Sequence, residues 1–504
     1  MRPRSGVSTH PRPRLLLAVL VYCGLVIAVI GTLGTPLIPT IATAQHVSLA
    51  DAQWLLTLTL LIGAACTPLL GRLGDGQHRR AVMLTGLGSV AVGSILCATA
   101  YDFTQLLVGR GLMGVGMGLM PLALAIARDL LPPARLAPGI AALSITVATG
   151  AGLGYPLSGL LAESFDYHAG FWVAAGLAAV AMAAVFTVVP RRPSARPAAG
   201  RVDLPGALLF AAALSPLLLA LSDGAAWGWT SPAVLGLLAA AVTCGVAWVL
   251  VELRTANPLI QLRYLAARPV LIADVCAALA GFGMFIAMTL INRLAQAPTS
   301  TGYGFGVSPT MLGLVILPMA AGTVLASRWS RWLGPRTGGA RGLLLTGLLA
   351  AALAEFGLAF RHDHLVELGA ATFGFGIGIG LAFAAMPTLI IGAVPAQETG
   401  SATSFNQVMR TAGGSVGSVL GAALLAAHTP AGQAEPTNSG YTVAFAVAGG
   451  VSLLAMLAAL ALRPSPRADS RSLPAPRRAG LETLREESAG SSASGLVMAQ
   501  DVQP

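Results

Sequence analysis

Residues 71–80, Gly71-Arg72-Leu73-Gly74-Asp75-Gly76-Gln77-His78-Arg79-Arg80, decide how this chain is organised. The stretch is short, basic and glycine-bearing, and it joins two apolar segments that are each long enough to cross a membrane. A connection this short makes the two flanking helices antiparallel neighbours. Its arginines also indicate the side of the membrane on which it lies.

The composition of the whole chain agrees with a membrane location. Of its 504 residues, 55% are hydrophobic and 10% are charged, and a soluble chain of this length needs more charge to cover its surface. A net charge of +10 would suggest nucleic acid in a soluble protein. Here the basic residues stand between apolar blocks, where they give an orientation signal. We therefore expect a multi-pass protein of the cell membrane that binds no nucleic acid.

Fourteen apolar segments have about the length of a bilayer-spanning helix, and each must satisfy its backbone hydrogen bonds internally, as a helix does. Their approximate ranges are 15–38, 52–71, 81–100, 104–127, 138–161, 169–189, 204–222, 232–251, 269–292, 309–330, 341–360, 365–392, 401–426 and 441–462. The first of them follows a basic tail and imitates a secretory signal. It is longer than the apolar core of a signal, so we interpret it as a membrane helix.

The arginines test this count, because with an even number of spans both tails and every second connection share one side. That side holds all but four of the 30 basic residues, and every one of the 30 is an arginine. Arg293 and Arg361 fall on the other side, whereas Arg110 and Arg410 fall inside spans. The positive-inside rule then predicts that both termini are cytoplasmic.

The connections after the second and tenth spans, 71–80 and 327–341, look alike and indicate an internal repeat of six spans. The predicted fold is an all-α membrane protein made of two six-helix bundles plus an inserted helix pair. Repeated bundles with a site at their interface are typical of secondary transporters. The predicted divisions are a cytoplasmic N-terminal tail 1–14, a first bundle 15–189, a cytoplasmic linker 190–203, an inserted pair 204–251, a second bundle 252–463 and a disordered cytoplasmic tail 464–504.

Six motifs stand in a fixed order along the spans and connections. Besides residues 71–80 they are Leu106-x-x-x-Arg110-x-x-Met113-Gly114-x-Gly116, Gly150-Ala-Gly152-Leu-Gly154-Tyr155-Pro156-Leu157-Ser158-Gly159, Trp227-Gly-Trp229, Asn257-Pro258-Leu259 and Asn406-x-x-x-Arg410-x-x-Gly413-Gly414. Together they resemble the signatures of the major facilitator superfamily, in particular of its fourteen-span drug:proton antiporters of actinobacterial type. The resemblance covers residues 15–463, with Gly76 and His78 departing from the pattern of the first motif.

The resemblance implies proton-coupled efflux of amphipathic drugs or antibiotics by alternating access. The alternative on the same scaffold is a proton-coupled or facilitative transporter of an endogenous small metabolite. A membrane enzyme or sensor would need a catalytic cluster or a soluble domain, and the sequence offers neither, so we expect no enzyme activity. The five cysteines match no metal or disulfide framework. The expected partners are a small lipophilic substrate, protons and the lipid bilayer, with no cofactor beyond the proton gradient and a monomeric state.

Gly71, Asp75, Arg79 and Arg80 are predicted to form a gating latch. Asp75 can accept hydrogen bonds from a neighbouring helix N-terminus, and the two arginines can pair with carboxylates or lipid phosphates. The alternative is that these charges only set the topology. We favour the latch, because Asp75 adds nothing to the topology.

Proton coupling needs an acid that can be reprotonated within the membrane. The family usually has an aspartate in the first span, and Ile30 stands there in this chain. Asp274, about five residues into the ninth span and among apolar neighbours, is the substitute candidate, the alternative being a shallow acid covered by cytoplasmic water. Arg110 is predicted to polarise the proton site or to bind substrate rather than to snorkel. Glu355 is a weaker candidate, because its helix is peripheral in the family.

By analogy with the family, spans 1, 4, 9 and 12 line the substrate cavity, and soft apolar side chains suit a lipophilic molecule. The candidates for that lining are Met113, Met117, Met120, Met284, Phe285, Met288, Phe373, Phe375 and Met386, with Asn292, Asn406 and Arg410 as polar groups. Each of the apolar residues taken alone is more often a packing or lipid-facing side chain. Gly150, Gly154, Pro156 and Gly159 are predicted to form a bendable helix, the alternative being plain small-residue packing.

Overall fold

Helices make up the part of the chain that the structure, a computed structural model, describes. That part comprises residues 12–33, 38–47, 49–74, 78–191, 203–255, 258–395, 398–430, 433 and 435–462, and no strand occurs in it. The α-helices are α1 Pro13–Thr32, α2 Ile38–Ala44, α3 Leu49–Gly74, α4 Arg79–Ala98, α5 Phe103–Gly114, α6 Leu119–Leu130, α7 Pro133–Ser164, α8 Tyr167–Val188, α9 Leu204–Trp227, α10 Pro232–Arg254, α11 Leu262–Leu265, α12 Arg268–Gln296, α13 Pro309–Thr337, α14 Ala340–Phe360, α15 Leu365–Ala393, α16 Thr399–Ala427 and α17 Asn438–Leu460. Two 3-10 helices span Val115–Gly118 and Thr299–Thr301.

Three of the long helices begin with a capping side chain followed by a proline. Asp203, Ser231 and Ser308 each accept a hydrogen bond from the backbone N–H three residues later, at distances of 2.9 to 3.3 Å. Proline follows in the first two helical positions, where its missing N–H has no intrahelical partner to lose. These caps fix the starts of α9, α10 and α13.

Within the described residues, twelve helices are long and apolar enough to cross a membrane. Two further helices fall on predicted spans: α7, with 32 residues, and α9, whose apolar stretch is Pro205–Leu221. The predicted all-helical membrane fold is therefore found. The count of fourteen spans and the cytoplasmic side of both termini stay predictions.

The fourth predicted span is not one continuous α-helix, because it changes to a 3-10 helix at Val115–Gly118. Helix α3 approaches closely here: a Cβ on Gly114 would lie 2.5 Å from Thr59 O, and one on Gly118 would lie 2.7 Å from Leu70 Cδ1. Small residues permit this approach, and a 3-10 stretch inside a helix is a common place for a hinge.

The two halves of the chain repeat one pattern of helix packing. In the first half α1 packs on α7, α3 on α5 and α4 on α8. In the second half α12 packs on α16, α13 on α15 and α14 on α17. Each pair of the first half has its counterpart in the second, which is the packing expected of an internal repeat.

The two halves contact each other along two seams. The helices that form one seam are the counterparts, in the repeat, of those that form the other. Along the α7–α13 seam, α7 packs against α13 and α15; along the α3–α16 seam, α16 packs against α3 and α6. Helix α9, which packs on α10, also contacts α3 and α16. The inserted pair therefore lies at the α3–α16 seam. Residues up to Arg463 form one compact unit. The predicted tail 464–504, and most of the predicted tail 1–14 and linker 190–203, lie outside the described residues.

Candidate functional site

A small cavity lies between the two bundles. Its walls come from α6 and α7 of the first bundle and α15 and α16 of the second, and the lining residues are Met120, Pro121, Leu124, Ser144, Phe383, Met386, Pro387, Thr403, Asn406, Gln407 and Arg410. The guanidinium of Arg410 lies 4.4 Å from the centre of the Phe383 ring and donates to Gln407 Oε1. Apolar and polar side chains thus line the cavity in similar numbers, and together they can contact both the apolar and the polar parts of a small organic molecule.

One polar wall residue of this cavity connects it to a buried acid. Asn406 Nδ2 donates to Asp274 Oδ1 at 2.8 Å and to Ala273 O at 3.1 Å. Asp274 is 3% exposed and is not itself part of the cavity wall. The side chain of Asn406 therefore lies between the cavity and the carboxyl group. A change of protonation at Asp274 would act directly on a residue of the cavity.

The predicted cavity residues do not all meet in one place. Asn406, Arg410, Met120 and Met386 line the cavity between the bundles. Met113 and Met117 line a second small cavity inside the first bundle, whose other lining residues include Ile30 and Thr59.

The remaining predicted cavity residues lie in neither cavity. Met284, Met288 and Phe375 are buried in the core of the second bundle. Phe285 packs over Gly414 of α16 and Phe373 is 36% exposed. The last of them, Asn292, is within hydrogen-bonding reach of Tyr155 in α7.

Arg110 is buried inside the first bundle, with 1% of the residue exposed. Its Nε donates to Leu55 O at 3.3 Å and its Nη1 donates to Leu33 O at 3.1 Å. These are backbone carbonyls of α3 and of the residue that follows α1. Arg110 thus holds the end of α1 against α3, and the adjacent second cavity presents Ile30 where the family usually has an aspartate.

Glu355 is buried in the second bundle, away from both cavities. The residue is 1% exposed and lies in α14 where α12 and α17 approach. A Cβ on Gly283 of α12 would lie 3.0 Å from Glu355 Oε1 and 2.7 Å from Ser452 Oγ of α17. Glu355 therefore lies in the contact between packed helices, whereas Asp274 lies next to a residue of the cavity wall.

The α3–α16 seam is closed by an ion pair that the sequence analysis did not single out. Arg72 Nη1 donates to both carboxylate oxygens of Glu398, at 3.1 and 3.0 Å, and Ser401 Oγ donates to Glu398 Oε2 at 3.1 Å. Arg72 and Glu398 are 9% and 8% exposed. A buried ion pair across the seam holds the two bundles together at this end, which we call the gate end.

A second arginine, Arg128 at the end of α6, also crosses this seam. Its Nη2 donates to Ile391 O at 3.1 Å and to Val394 O at 3.2 Å. Its Nη1 donates to Pro395 O at 3.3 Å and to Thr399 Oγ1. The guanidinium therefore caps the C-terminus of α15, where a cation is favoured by the helix dipole.

The predicted latch residues lie beside this contact. Arg79 pairs with Asp129 of α6 and donates to Ala125 O at 3.0 Å. Arg80 donates to Phe186 O at 2.6 Å and lies over the Phe186 ring. Both arginines thus contact the first bundle itself. Asp75 lies outside the described residues.

Gly71 of the predicted latch lies in the seam, where α3 and α16 touch. A Cβ on Gly71 would collide with Ser404 Oγ and would lie 2.7 Å from Gly400 O, a backbone atom that cannot rotate away. We expect Gly71→Ala to lower the stability of the closed protein by about 1–3 kcal/mol, through overpacking. The melting temperature of the purified protein in detergent should fall accordingly.

Gly88 of α4 offers the matched control for this substitution, because nothing lies within 4 Å of a Cβ there. Gly88→Ala should leave the melting temperature unchanged or raise it, since alanine favours a helix. Equal melting temperatures for the two variants would contradict the close contact at Gly71.

The predicted helix-bend motif lies in α7, which stays helical through Pro156. A Cβ on Gly150 would lie 3.0 Å from Leu25 O, and one on Gly154 would lie 3.1 Å from Val29 O, so this face packs on α1. Pro156 packs against Gly313 of α13. Gly159 lies in the same helix, Pro133–Ser164. The contacts show close packing at both faces of α7.

The chain is similar to one large family of transporters. A sequence model described as the Major Facilitator Superfamily matches residues 20–418 and, in a second match, residues 273–496. A transporter of this type from Mycobacterium tuberculosis, itself uncharacterised, is 29% identical over 425 residues, or 82% of this chain. The chain spans 59% of the length of that relative.

Other relatives match along nearly their whole length. The puromycin resistance protein of Streptomyces alboniger is 30% identical over 484 residues, which is 91% of this chain and 93% of that protein. Several further relatives are named as antibiotic or multidrug resistance proteins. Among solved structures, the human organic anion transporter MFSD10 (TETRAN) superposes with a TM-score of 0.58 at 19% identity, over 89% of this chain and 100% of that one. This last likeness concerns the fold.

Proposed function

We propose that this chain, which belongs to the major facilitator superfamily, exports amphipathic drugs or antibiotics across the cell membrane in exchange for protons. As a member of that family it is a multi-pass membrane transporter and not an enzyme. The relatives named for resistance to puromycin, lincomycin or tetracenomycin C support drugs as the substrate class. Export against a gradient needs an energy source, and we assign that role to protons.

The observation that carries the proposal is the contact of Asn406 with both the cavity and Asp274. The cavity lies between the two repeated bundles, where secondary transporters bind their substrates. The adjacent carboxyl group is buried and hydrogen-bonded to the cavity wall. Substrate entry would displace Asn406 or change its hydrogen bonds, and this in turn changes the affinity of Asp274 for a proton.

Alternating access then follows from the two seams. The gate end is held closed by Arg72, Glu398 and Arg128, so opening requires these contacts to break while α7 and α13 keep the bundles joined along the other seam. We place the gate end on the cytoplasmic side, with fourteen spans and both termini in the cytoplasm, because the arginines concentrate on that side.

Efflux in a drug-sensitive bacterial host tests this function. Cells that express the chain are loaded with ethidium, puromycin or lincomycin, and the loss of compound is followed with and without an uncoupler of the proton gradient. We expect faster efflux than in empty-vector cells, and we expect the uncoupler to abolish the difference. Efflux that survives the uncoupler would contradict proton coupling, and the absence of efflux for the whole panel would favour an endogenous metabolite as substrate.

A further inference from the structure

Two further buried carboxyl groups lie at the α3–α16 seam, on the inserted pair α9–α10. Asp203 is 8% exposed and Glu252 is 3% exposed. One oxygen of each has a partner: Asp203 Oδ1 accepts from Gly206 N at 2.9 Å, and Glu252 Oε1 accepts from Ile260 N. The other two oxygens, Asp203 Oδ2 and Glu252 Oε2, are buried without a hydrogen-bond partner among the described residues.

These two oxygens approach the same side of Gly206. Both lie less than 3.0 Å from the position that a Cβ on Gly206 would take, and the two carboxyl groups are within hydrogen-bonding reach. Two carboxylates this close and shielded from water oppose each other's ionisation. A protonated carboxyl can donate to a carboxylate, so one proton between Oδ2 and Oε2 would supply the partner that both atoms lack.

The charges near Glu252 have opposite effects on its ionisation. The charge of Asp203, the residue that caps α9, opposes it, and the guanidinium of Arg72 on α3 favours it. The guanidinium of Arg72 is already paired with Glu398, which stands immediately before α16. The 258–261 connection contributes the N–H of Ile260. The guanidinium is thus committed to Glu398 while the seam is closed.

We propose that Asp203 and Glu252 form a proton-binding site that holds one shared proton while the α3–α16 seam is closed and releases it when the seam opens. While the seam is closed, Glu398 pairs with Arg72 and neutralises its charge. Opening the seam frees this positive charge, which then favours ionisation of the pair. By linkage, protons favour the closed seam and a rise in pH favours the open one. The proposal depends on the proposed function only for the statement that the seam opens.

Distances between the bundles measured by pulse electron paramagnetic resonance test this site without any substrate. In a background whose five cysteines are replaced, Ala134→Cys in α7 and Arg331→Cys in α13 place one spin label on the gate end of each bundle, at exposed positions. We expect the short distance of the closed seam to predominate at low pH in detergent, and a longer distance to grow as the pH rises.

Three variants and one control separate the pair from other acids. The double variant Asp203→Asn, Glu252→Gln has no proton to release, so it should keep the short distance at every pH. Each single variant leaves one acid without its like-charged neighbour, which should move the transition to lower pH by roughly one unit or more. Asp363→Asn, an exposed acid at the other end of the bundles, should titrate like the unchanged protein.

A double variant that titrates like the unchanged protein would overturn the proposal, as would an unchanged protein whose distances ignore pH. If the double variant does not fold, the two single variants provide the test. A transition that stays at the same pH in both of them would also overturn the proposal. Failure of the transport assay would contradict the proposed function and would leave this titration intact.

Discussion

Glu398→Gln is expected to reduce efflux at least tenfold while leaving the amount of protein in the membrane unchanged. The substitution leaves the guanidinium of Arg72 buried in the α3–α16 seam without its carboxylate. Removing one partner of a buried ion pair destabilises the state that contains it by about 3–5 kcal/mol. The closed gate end is the state affected, so the conformational cycle loses one of its two states. Initial rates of ethidium efflux at matched expression measure the effect.

The chain offers a matched control and a rescue for this prediction. Arg361 and Glu367 form an ion pair of similar length, 3.2 Å, but Arg361 is 76% exposed, and such pairs contribute about 0–1 kcal/mol. Arg361→Gln should therefore leave efflux unchanged. The exchange of Arg72→Glu with Glu398→Arg should restore part of the activity lost in either single variant. If Glu398→Gln transports like Arg361→Gln, the ion pair is not part of the gate.

Asp274→Asn is expected to abolish the response of transport to a pH gradient while retaining the binding of substrate. The amide keeps the size of the side chain and a hydrogen bond with Asn406, but it cannot take up a proton. Transport driven by a pH gradient should fall to the rate measured without one. Asp274→Glu, which keeps an ionisable group in place, should recover part of the response. Binding is measured separately, by ethidium fluorescence on the purified protein.

Glu355, another buried acid of the second bundle, provides the comparison. Glu355 is as inaccessible as Asp274 but adjoins neither cavity. Glu355→Gln should keep the response to the gradient, even if it changes the melting temperature. The reverse outcome, in which Glu355→Gln loses the response and Asp274→Asn keeps it, would move the proton carrier from α12 to α14.

The fold was largely predictable because a membrane forces each apolar block of about 20 residues into a helix. The break of the fourth span at Val115–Gly118 was not predictable, since it depends on how closely α3 approaches Gly114 and Gly118. Glycines in the sequence permit such an approach but do not say which helix makes it.

The polar residues of the candidate site could be predicted one by one, but their pairing could not, because the partners lie far apart in the sequence. Asp274, Asn406 and Arg410 were each conspicuous as polar groups inside apolar spans. The hydrogen bond from Asn406 to Asp274 joins residues 132 apart, and the ion pair from Arg72 to Glu398 joins residues 326 apart. The sequence around one partner does not indicate where in the chain the other partner lies. Arg72 lies inside residues 71–80, but nothing in the sequence around Glu398 indicates that the two residues pair.

Transport by the purified chain in proteoliposomes shows whether export is coupled to protons. Vesicles with an acidic interior and a neutral exterior are given ethidium, or the panel compound with the largest efflux, and internal pH and compound are recorded together. We expect the compound to accumulate inside while the interior becomes more alkaline, and we expect neither change in Asp274→Asn vesicles. Accumulation that is the same with and without the pH gradient would contradict proton-coupled export.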